Sequence, residues 1–461
     1  MAADKSPVGA ELRRLLKKHP DLETMELLVP DALGVLKGKR IRRKDFEKAC
    51  TEPFWFCGGT VMLSALGEVV PGCPGAGDGD PDIPCRVVPG SLAPVPWAGR
   101  PMAQGLFRMY EEDGRPYFAD PRAVLERAMA PLKKMGLMLV MATELEFYLL
   151  EDRADRPTPR APRVPGIGRP QPGVQVYHPD DLVEIQPFLD DVYDFCAAQN
   201  LPADTVISEY AAGQYEINLL HVDDPVLACD HAVLLKRVIK AAARRHGLVA
   251  CFMAKPFAEE AGNGLHIHMS LVDRKGINYF SGGKEKNAAP PFPARLRHAV
   301  GGLLRTMAEG TAIFAPTANS YRRLLPETFA PVDPNWGYNH RDVAIRIPQS
   351  DEKNLRFEHR VAGADANPYL VTAAVVAGVH HGLKNKLDPG RMVAEREELT
   401  LKTRIPDRWE AALDKFKRSK VLKEYLGADY CKYYEINRRA ESRQFHNQIN
   451  PLDFDWYLRS V

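Results

Sequence analysis

The residues whose types and spacing could do chemistry sit in four short stretches. ATELEFYLLE places Glu144 and Glu146 two apart; side chains at i and i+2 of a strand share a face, so both carboxylates point together while Leu145 and Phe147 turn away. Alone, that is also the pattern of a solvated strand face. In ISEYAAGQYEINLL, Glu209 and Glu216 flank a turn at Gly213 and Gln214. A chain folding back there brings both carboxylates to one rim, ahead of a strand carrying Asn218. GNGLHIHMSL sets His266 and His268 on one strand face behind a turn at Gly262 and Gly264, a pattern of satisfied histidines and of metal or phosphate contacts alike. NLRFEHRVAG lines up Arg356, Glu358 and Arg360, with Phe357 and His359 opposite; alone this is a surface ion pair. Together, five glutamates and a histidine make a cage for two or three divalent cations, and oxygen ligands suit Mg2+ or Mn2+.

A second set is basic. NSYRRLLPETFAPVDPNWGYNHRDVAIRIP holds Arg322, Arg323, Arg341 and Arg346 among Pro, Gly and Asn, which places them largely on loops. Guanidinium forks grip carboxylates and phosphates with two hydrogen bonds at once. Beside a metal cage, they make best sense around a transferring phosphoryl group.

These residues need elements to hold them. Gly9 to His19 reads as an amphipathic helix stopped by Pro20, and Met25 to Val35 as a half-buried strand broken near Pro30, Asp31 and Gly34. The basic run from Lys37 to Lys44 reads as a solvated turn. PGCPGAGDGDPDIP is a surface loop, and another spans about residues 152 to 173. Asp120 caps a helix that begins at Pro121 and ends at Gly136. Strands are expected over Gly136 to Leu150, Leu248 to Lys255 and Leu265 to Val272, with a helix from Pro225 to His246 closed by Gly247. The class is α+β, with one domain over residues 1–114 and a catalytic one over 115–461.

Composition narrows the function. The chain of 461 residues is 45% hydrophobic and 26% charged, with a net charge of +2, which removes the electrostatic case for a nucleic-acid or membrane-surface partner. Eight cysteines without CxxC or zinc spacing fit a reducing cytoplasm, and neither a signal peptide nor a run of about 20 apolar residues is seen.

With the motifs assembled, the chain resembles the glutamine synthetase superfamily, within it the bacterial enzymes that join glutamate to putrescine or related polyamines. GKRI, TELEFYLL, the ExxxGQxEINL loop, FMAKPF with GNGLHIHMSL, NSYRR and RVAGADANPYL carry the resemblance through their order and spacing. It implies a small N-terminal β-grasp domain, a large catalytic domain with a curved antiparallel sheet, and self-association into stacked rings, usually a homododecamer. It also implies ATP and a divalent metal, Mg2+ or Mn2+. Glu146, Glu209 and Glu216 look like the ligands of a metal that orients glutamate, and Glu144, His266 and Glu358 like those of a metal on the ATP phosphates. Gly262, Arg323 and Arg360 match glutamate-binding positions, and His268, Arg341 and Arg346 match contacts to ATP or its transferred phosphate. Arg323, Arg341 and Arg360 are the expected catalytic arginines. The chemistry implied activates the glutamate γ-carboxylate as an acyl phosphate, which an unprotonated amine then attacks.

The chain departs from the family at the second substrate. Where ammonia-using members carry an Asp-Gly-Ser-Ser stretch, it reads Cys57, Gly58, Gly59, Thr60, and a flap glutamate aligns with Phe329, two positions after Glu327. Losing two acids and gaining a ring favours an alkyl chain over a small cation. A polyamine such as putrescine is the expected acceptor, gripped by Glu327, Phe329, Asp333 and Trp336. A monoamine, or ammonia with acids supplied by displaced neighbours, is the alternative, as is a silent relative without turnover. The segment from Glu395 to Pro406 lacks the tyrosine on which adenylylation would act.

Overall fold

The computed structural model describes residues 6–151, 156–164, 166–171, 176–281, 292–326, 328–393 and 404–461. Glu327 and most of the Glu395–Pro406 segment therefore lie outside the described residues.

An opening helix, Pro7–Lys18, is capped by Ser6 and rests beside a first sheet. That sheet holds β1 (Thr24–Pro30), β2 (Leu36–Arg42), β3 (Phe54–Cys57), β4 (Asp82–Val87), β5 (Ala93–Pro94) and β6 (Met102–Met109). Their order is β2-β1-β6-β4-β3, with β5 paired to β6. β1 and β6 run parallel, and the other pairs are antiparallel. The break expected near Asp31 is a hairpin turn: the Asp31 carboxylate accepts the N–H groups of Leu33 and Val35 at 2.9 Å, and Gly34 takes φ +76°. From Lys37 to Arg42 the basic run expected as a turn is instead part of strand β2, and Arg43 and Lys44 alone fall in a single helical turn. Arg40 meets Glu26 across the hairpin at 2.6 Å and Lys39 donates to the Trp55 carbonyl on β3, so pairing with other strands overrides the run of like charge.

The helix Pro121–Lys134 follows, capped by Asp120 as expected. A second sheet is built from β7 (Met138–Glu151), β8 (Thr158–Pro159), β9 (Ala203–Ser208), β10 (Gln214–Leu219), β11 (Val249–Cys251), β12 (Leu265–Val272), β13 (Trp336–Tyr338), β14 (Ile345–Ile347) and β15 (Phe357–His359). The path is β13-β14-β15-β12-β7-β10-β9, with β8 and β11 paired to β7. Only β13 and β14 run parallel among the pairs of this sheet. The strand expected to reach Lys255 ends at Cys251, because the chain beyond it turns back to hydrogen-bond Asn263 and Asn319.

The two faces of this sheet differ sharply. Leu145, Phe147, Ile217, Ile267, Met269 and Phe357 are fully buried on one face, against which the helix Pro225–Arg245 packs. Pleat parity then forces the intervening residues of each strand onto the other face. Register decides which of them meet. Glu144 stands opposite His266 on one side and Asn218 on the other, and Glu146 opposite Glu216. His268 stands opposite Glu358, and Glu358 opposite Arg346. The fold is α+β, and its larger sheet turns a polar face outward.

Candidate active site

That face carries a carboxylate row. His266 Nδ1 lies 3.1 Å from one Glu144 oxygen, and His268 Nε2 lies 2.8 Å from the other. His266 also approaches Glu146 at 3.7 Å and Glu358 at 3.8 Å. Three sets of ligand atoms lie within 4.8 Å of one another: Glu146, Glu209 and Glu216; Glu144, Glu216 and His266; and Glu144, His268 and Glu358. The first of these is the set expected from the sequence. In the others Glu144 is shared, and His268 rather than His266 joins Glu358, whose two oxygens already accept from Arg346 at 2.9 Å and from Arg360.

The electrostatics divide the row. Burial, together with the repulsion of Glu146, pushes the Glu209 carboxyl up to about 8. Burial and the nearby Glu144 and Glu146 carboxylates push Glu216 well above the usual range. Burial also opposes ionisation of Glu144, but hydrogen bonds from His266 and His268 win and hold it well below that range. At Glu358, burial is overcome by Arg360 and both histidines, and its carboxyl sits at about 2. Like charges that cannot all ionise unaided mark a place where a divalent cation fits, and the donors are oxygen with imidazole nitrogen. His359, on the core face, is held neutral to about 3 by burial and stacks near Phe314, so it takes no part.

Glu144, Glu146, Glu209, Glu216 and His266 line a cavity of about 560 Å³, shared with Arg323, Arg341, Arg346 and Arg360. Arg323 is buried and donates to the carbonyls of Val361 and Arg360, so its fork is anchored before any substrate arrives. Gly262 has no room for a side chain, since a Cβ there would lie 2.6 Å from the Ala254 carbonyl. Gln214 ties this floor together by donating to the Gly262 carbonyl and to Asn263 Oδ1, at 3.0 and 3.1 Å. A second cavity of about 480 Å³ opens on the other side of Glu144, lined by His268, Ser270, Lys353 and Arg356. Glu144 and Asn218 belong to both cavities.

The expected amine grip is only partly assembled. Phe329 stands at the first cavity, with its ring 58% exposed. Trp336 does not reach it. Its indole is 1% exposed, donates to the Gly390 carbonyl at 3.3 Å and packs on Phe292, because strand β13 turns it into the core. Trp336→Ala is therefore expected to cost about 3–5 kcal/mol of folding stability in denaturant titrations while leaving the KM for amine as it was. Asp333 faces Arg404 at 3.8 Å and is not among the lining residues. Cys57 is likewise outside the cavity of its own chain, and its thiol donates to the Asp80 carboxylate at 2.9 Å. An acid thus stands beside the position where the sequence shows none. Tyr177, Tyr210, Thr328 and Asp342 also line the cavity and were not singled out in the sequence. Tyr210 directly follows Glu209, and that adjacency was the available signal.

Comparison with known proteins places the chain. A family model for the glutamine synthetase catalytic domain matches residues 118–457. The chain is 38% identical to the γ-glutamylputrescine synthetase PuuA of Escherichia coli K12, over 98% of this chain and 95% of that protein. It is 31% identical to a glutamine synthetase of Pyrococcus abyssi, over 90% and 89%. The solved structure of GmaS without ligand superposes with a TM-score of 0.82 at 25% identity, covering 97% of this chain and 99% of that one. The sheet of paired carboxylates and arginines, preceded by a small β-grasp sheet, thus has its family: the chain belongs to the glutamine synthetase family of ATP-dependent glutamate–amine ligases.

Proposed function

We propose that this ligase joins the γ-carboxylate of glutamate to putrescine or a similar polyamine, through a γ-glutamyl phosphate. The likeness to the E. coli γ-glutamylputrescine synthetase carries the choice of acceptor. The ring of Phe329 at the cavity mouth supports it.

Glutamate lies in the first cavity between Arg323 and Arg360, over the floor at Gly262. ATP enters from the second cavity past His268 and meets it at Glu144. Glu146, Glu209 and Glu216 would hold one divalent ion, and Glu144 and Glu358, with His268 or the neighbouring His266, another. Bound Mg2+ or Mn2+ supplies charge neutralisation at the phosphates and orients the carboxylate. A γ-carboxylate oxygen attacks the γ-phosphorus and ADP leaves, while Arg341 and Arg346 spread the charge on the transferring group. The amine nitrogen, stripped of one proton, then attacks the acyl carbon; inorganic phosphate leaves, and the amide sheds its second proton. Arg346 is positioned for this by Glu358 and by Asn339 Oδ1, which it reaches at 3.0 Å.

Residues 1–114 form the β-grasp domain and 115–461 the catalytic one in this reading. The assembly is a homododecamer in the cytoplasm. The C-terminal helix Pro451–Tyr457 supports self-association, since Leu452, Phe454, Trp456 and Leu458 are exposed there without apolar cover. Free cysteines throughout support a reducing compartment. Among the described residues no helix is long and apolar enough to cross a membrane.

A second reading, ammonia as acceptor, is favoured by the Asp80 carboxylate beside Cys57. Phosphate release from ATP with glutamate and Mg2+ separates the two. Putrescine is expected to drive release at a kcat/KM at least tenfold above that for ammonium; ammonium as the better acceptor would reverse the assignment.

A further inference from the structure

Two aromatic rings reach toward each other across the first cavity from separate walls. Tyr210 comes from the turn that carries Glu209, and Phe329 from the segment after Leu325. Their centroids are 4.4 Å apart with planes inclined by 50°, so the rings touch. Within the single chain both are half exposed, at 53% and 58%, so neither fills this chain's own core. Phe329 also adopts φ +60°, a left-handed backbone that a bulky side chain rarely takes. Thr328 holds that turn by donating to the Leu325 carbonyl at 2.6 Å. Tyr210 is fixed at the other side, where its N–H donates to the Glu209 carboxylate at 3.2 Å. A strained backbone that keeps a large ring out of the chain's own core, against a second ring, needs an occupant to make use of it.

The surroundings define that occupant. The rings stand in a cavity also lined by Ala261, Thr328 and Ala330, and the ring faces themselves attract a cation. An alkylammonium matches both parts, with its methylenes against the rings and its charge over their faces.

We propose that Tyr210 is a specificity-determining residue, which with Phe329 forms an aromatic clasp for the alkyl chain and distal ammonium of the acceptor amine. The inference rests on the glutamate–polyamine ligase reading and adds a residue to it. Steady-state kinetics on the full-length protein test it, varying each substrate in turn. Tyr210→Ala and Phe329→Ala are each expected to raise the KM for putrescine about tenfold or more. The KM for glutamate and for ATP should stay within about twofold. Tyr210→Phe keeps the ring and should keep the putrescine KM, which separates stacking from any role of the hydroxyl. Both side chains are half exposed, and unaltered thermal melting of the variants excludes misfolding as the cause. If the wild-type protein prefers putrescine and Tyr210→Ala leaves its KM within about twofold, or raises that for glutamate equally, the clasp is wrong while the reading of the site stands. If the wild-type protein prefers ammonium, the reading itself fails and takes the clasp with it.

Discussion

Glu144→Gln is expected to lower kcat about a thousandfold while leaving the metal-free fold intact. The carboxylate is the junction of the site: both histidines of β12 bond to it, and it belongs to two of the three sets of candidate ligand atoms. It also borders both cavities, so in the proposed reaction it stands where the phosphate donor would meet the carboxylate acceptor. Glutamine keeps the volume and one acceptor but removes the charge and turns an amide donor toward a ring nitrogen. Metal stabilisation of a transferring phosphoryl group amounts to several kcal/mol, and losing about 4 kcal/mol gives the stated factor. The fold should survive, because the core face of β7 is carried by Leu145 and Phe147. Two measurements check this. Single-turnover phosphate release should collapse, and melting in EDTA should match the wild type while the rise on adding Mg2+ shrinks. A variant that keeps more than a tenth of the wild-type rate would remove Glu144 from the centre of the mechanism.

Much of this junction could be read in advance, and the reason is periodicity. A strand has a strict two-residue repeat, so TELEF and HIH announce which side chains share a face before any partner strand is known. Helix starts were equally legible: Asp120 caps the helix that begins at Pro121, and the helix expected from Pro225 begins there, with Asp224 as a cap that the sequence reading did not name. What periodicity cannot supply is register between strands far apart in the chain. That His268 faces Glu358, and that Glu144 rather than Glu146 bonds both histidines, follows from pairings of β7, β12 and β15. Short strands inside loops were lost for a similar reason. Trp336 reads as a loop aromatic among Pro, Asn and Gly, yet the three residues of β13 are enough to turn it inward. The Cys57 segment shows the same limit from the other side. A missing acid in one stretch says nothing of Asp80, which a glycine-rich loop folds back against the thiol and against the Gly59 N–H.

Acidity around Glu209 leads to the other large effect expected, a fall in the stability of the metal-free protein between pH 6.5 and 8 that Mg2+ or Mn2+ abolishes. Glu209 titrates near 8 in the folded chain, against about 4.5 when exposed, and Glu216 is raised with it. Across that interval the folded state binds more protons than the unfolded one, so its stability declines as pH rises and levels off above about 8. Groups shifted the opposite way act elsewhere. Glu144 and Glu358 are lowered, so their contribution is complete above about 4.5 and is lost only as pH falls further, toward about 2 for Glu358. Buried His359, held to about 3, adds stability as pH rises toward 6.5 and nothing beyond. Lys236, lowered to about 8, adds stability only above that pH. Of these groups, only the carboxylates of the first ligand set cost stability as pH rises from 6.5 to 8. Each pKa unit corresponds to about 1.4 kcal/mol, so the effect is large enough to read in a melting curve. A divalent ion compensates the crowded charges, draws both pKa values down and releases protons as it binds. Melting temperatures in EDTA should decline from pH 6.5 to 8, those in Mg2+ should hold, and the stabilisation by metal should be greater at pH 8. Equal stabilisation by metal at both pH values, or a melting temperature in EDTA that does not decline, would show that Glu209 and Glu216 are not the groups that receive the cation.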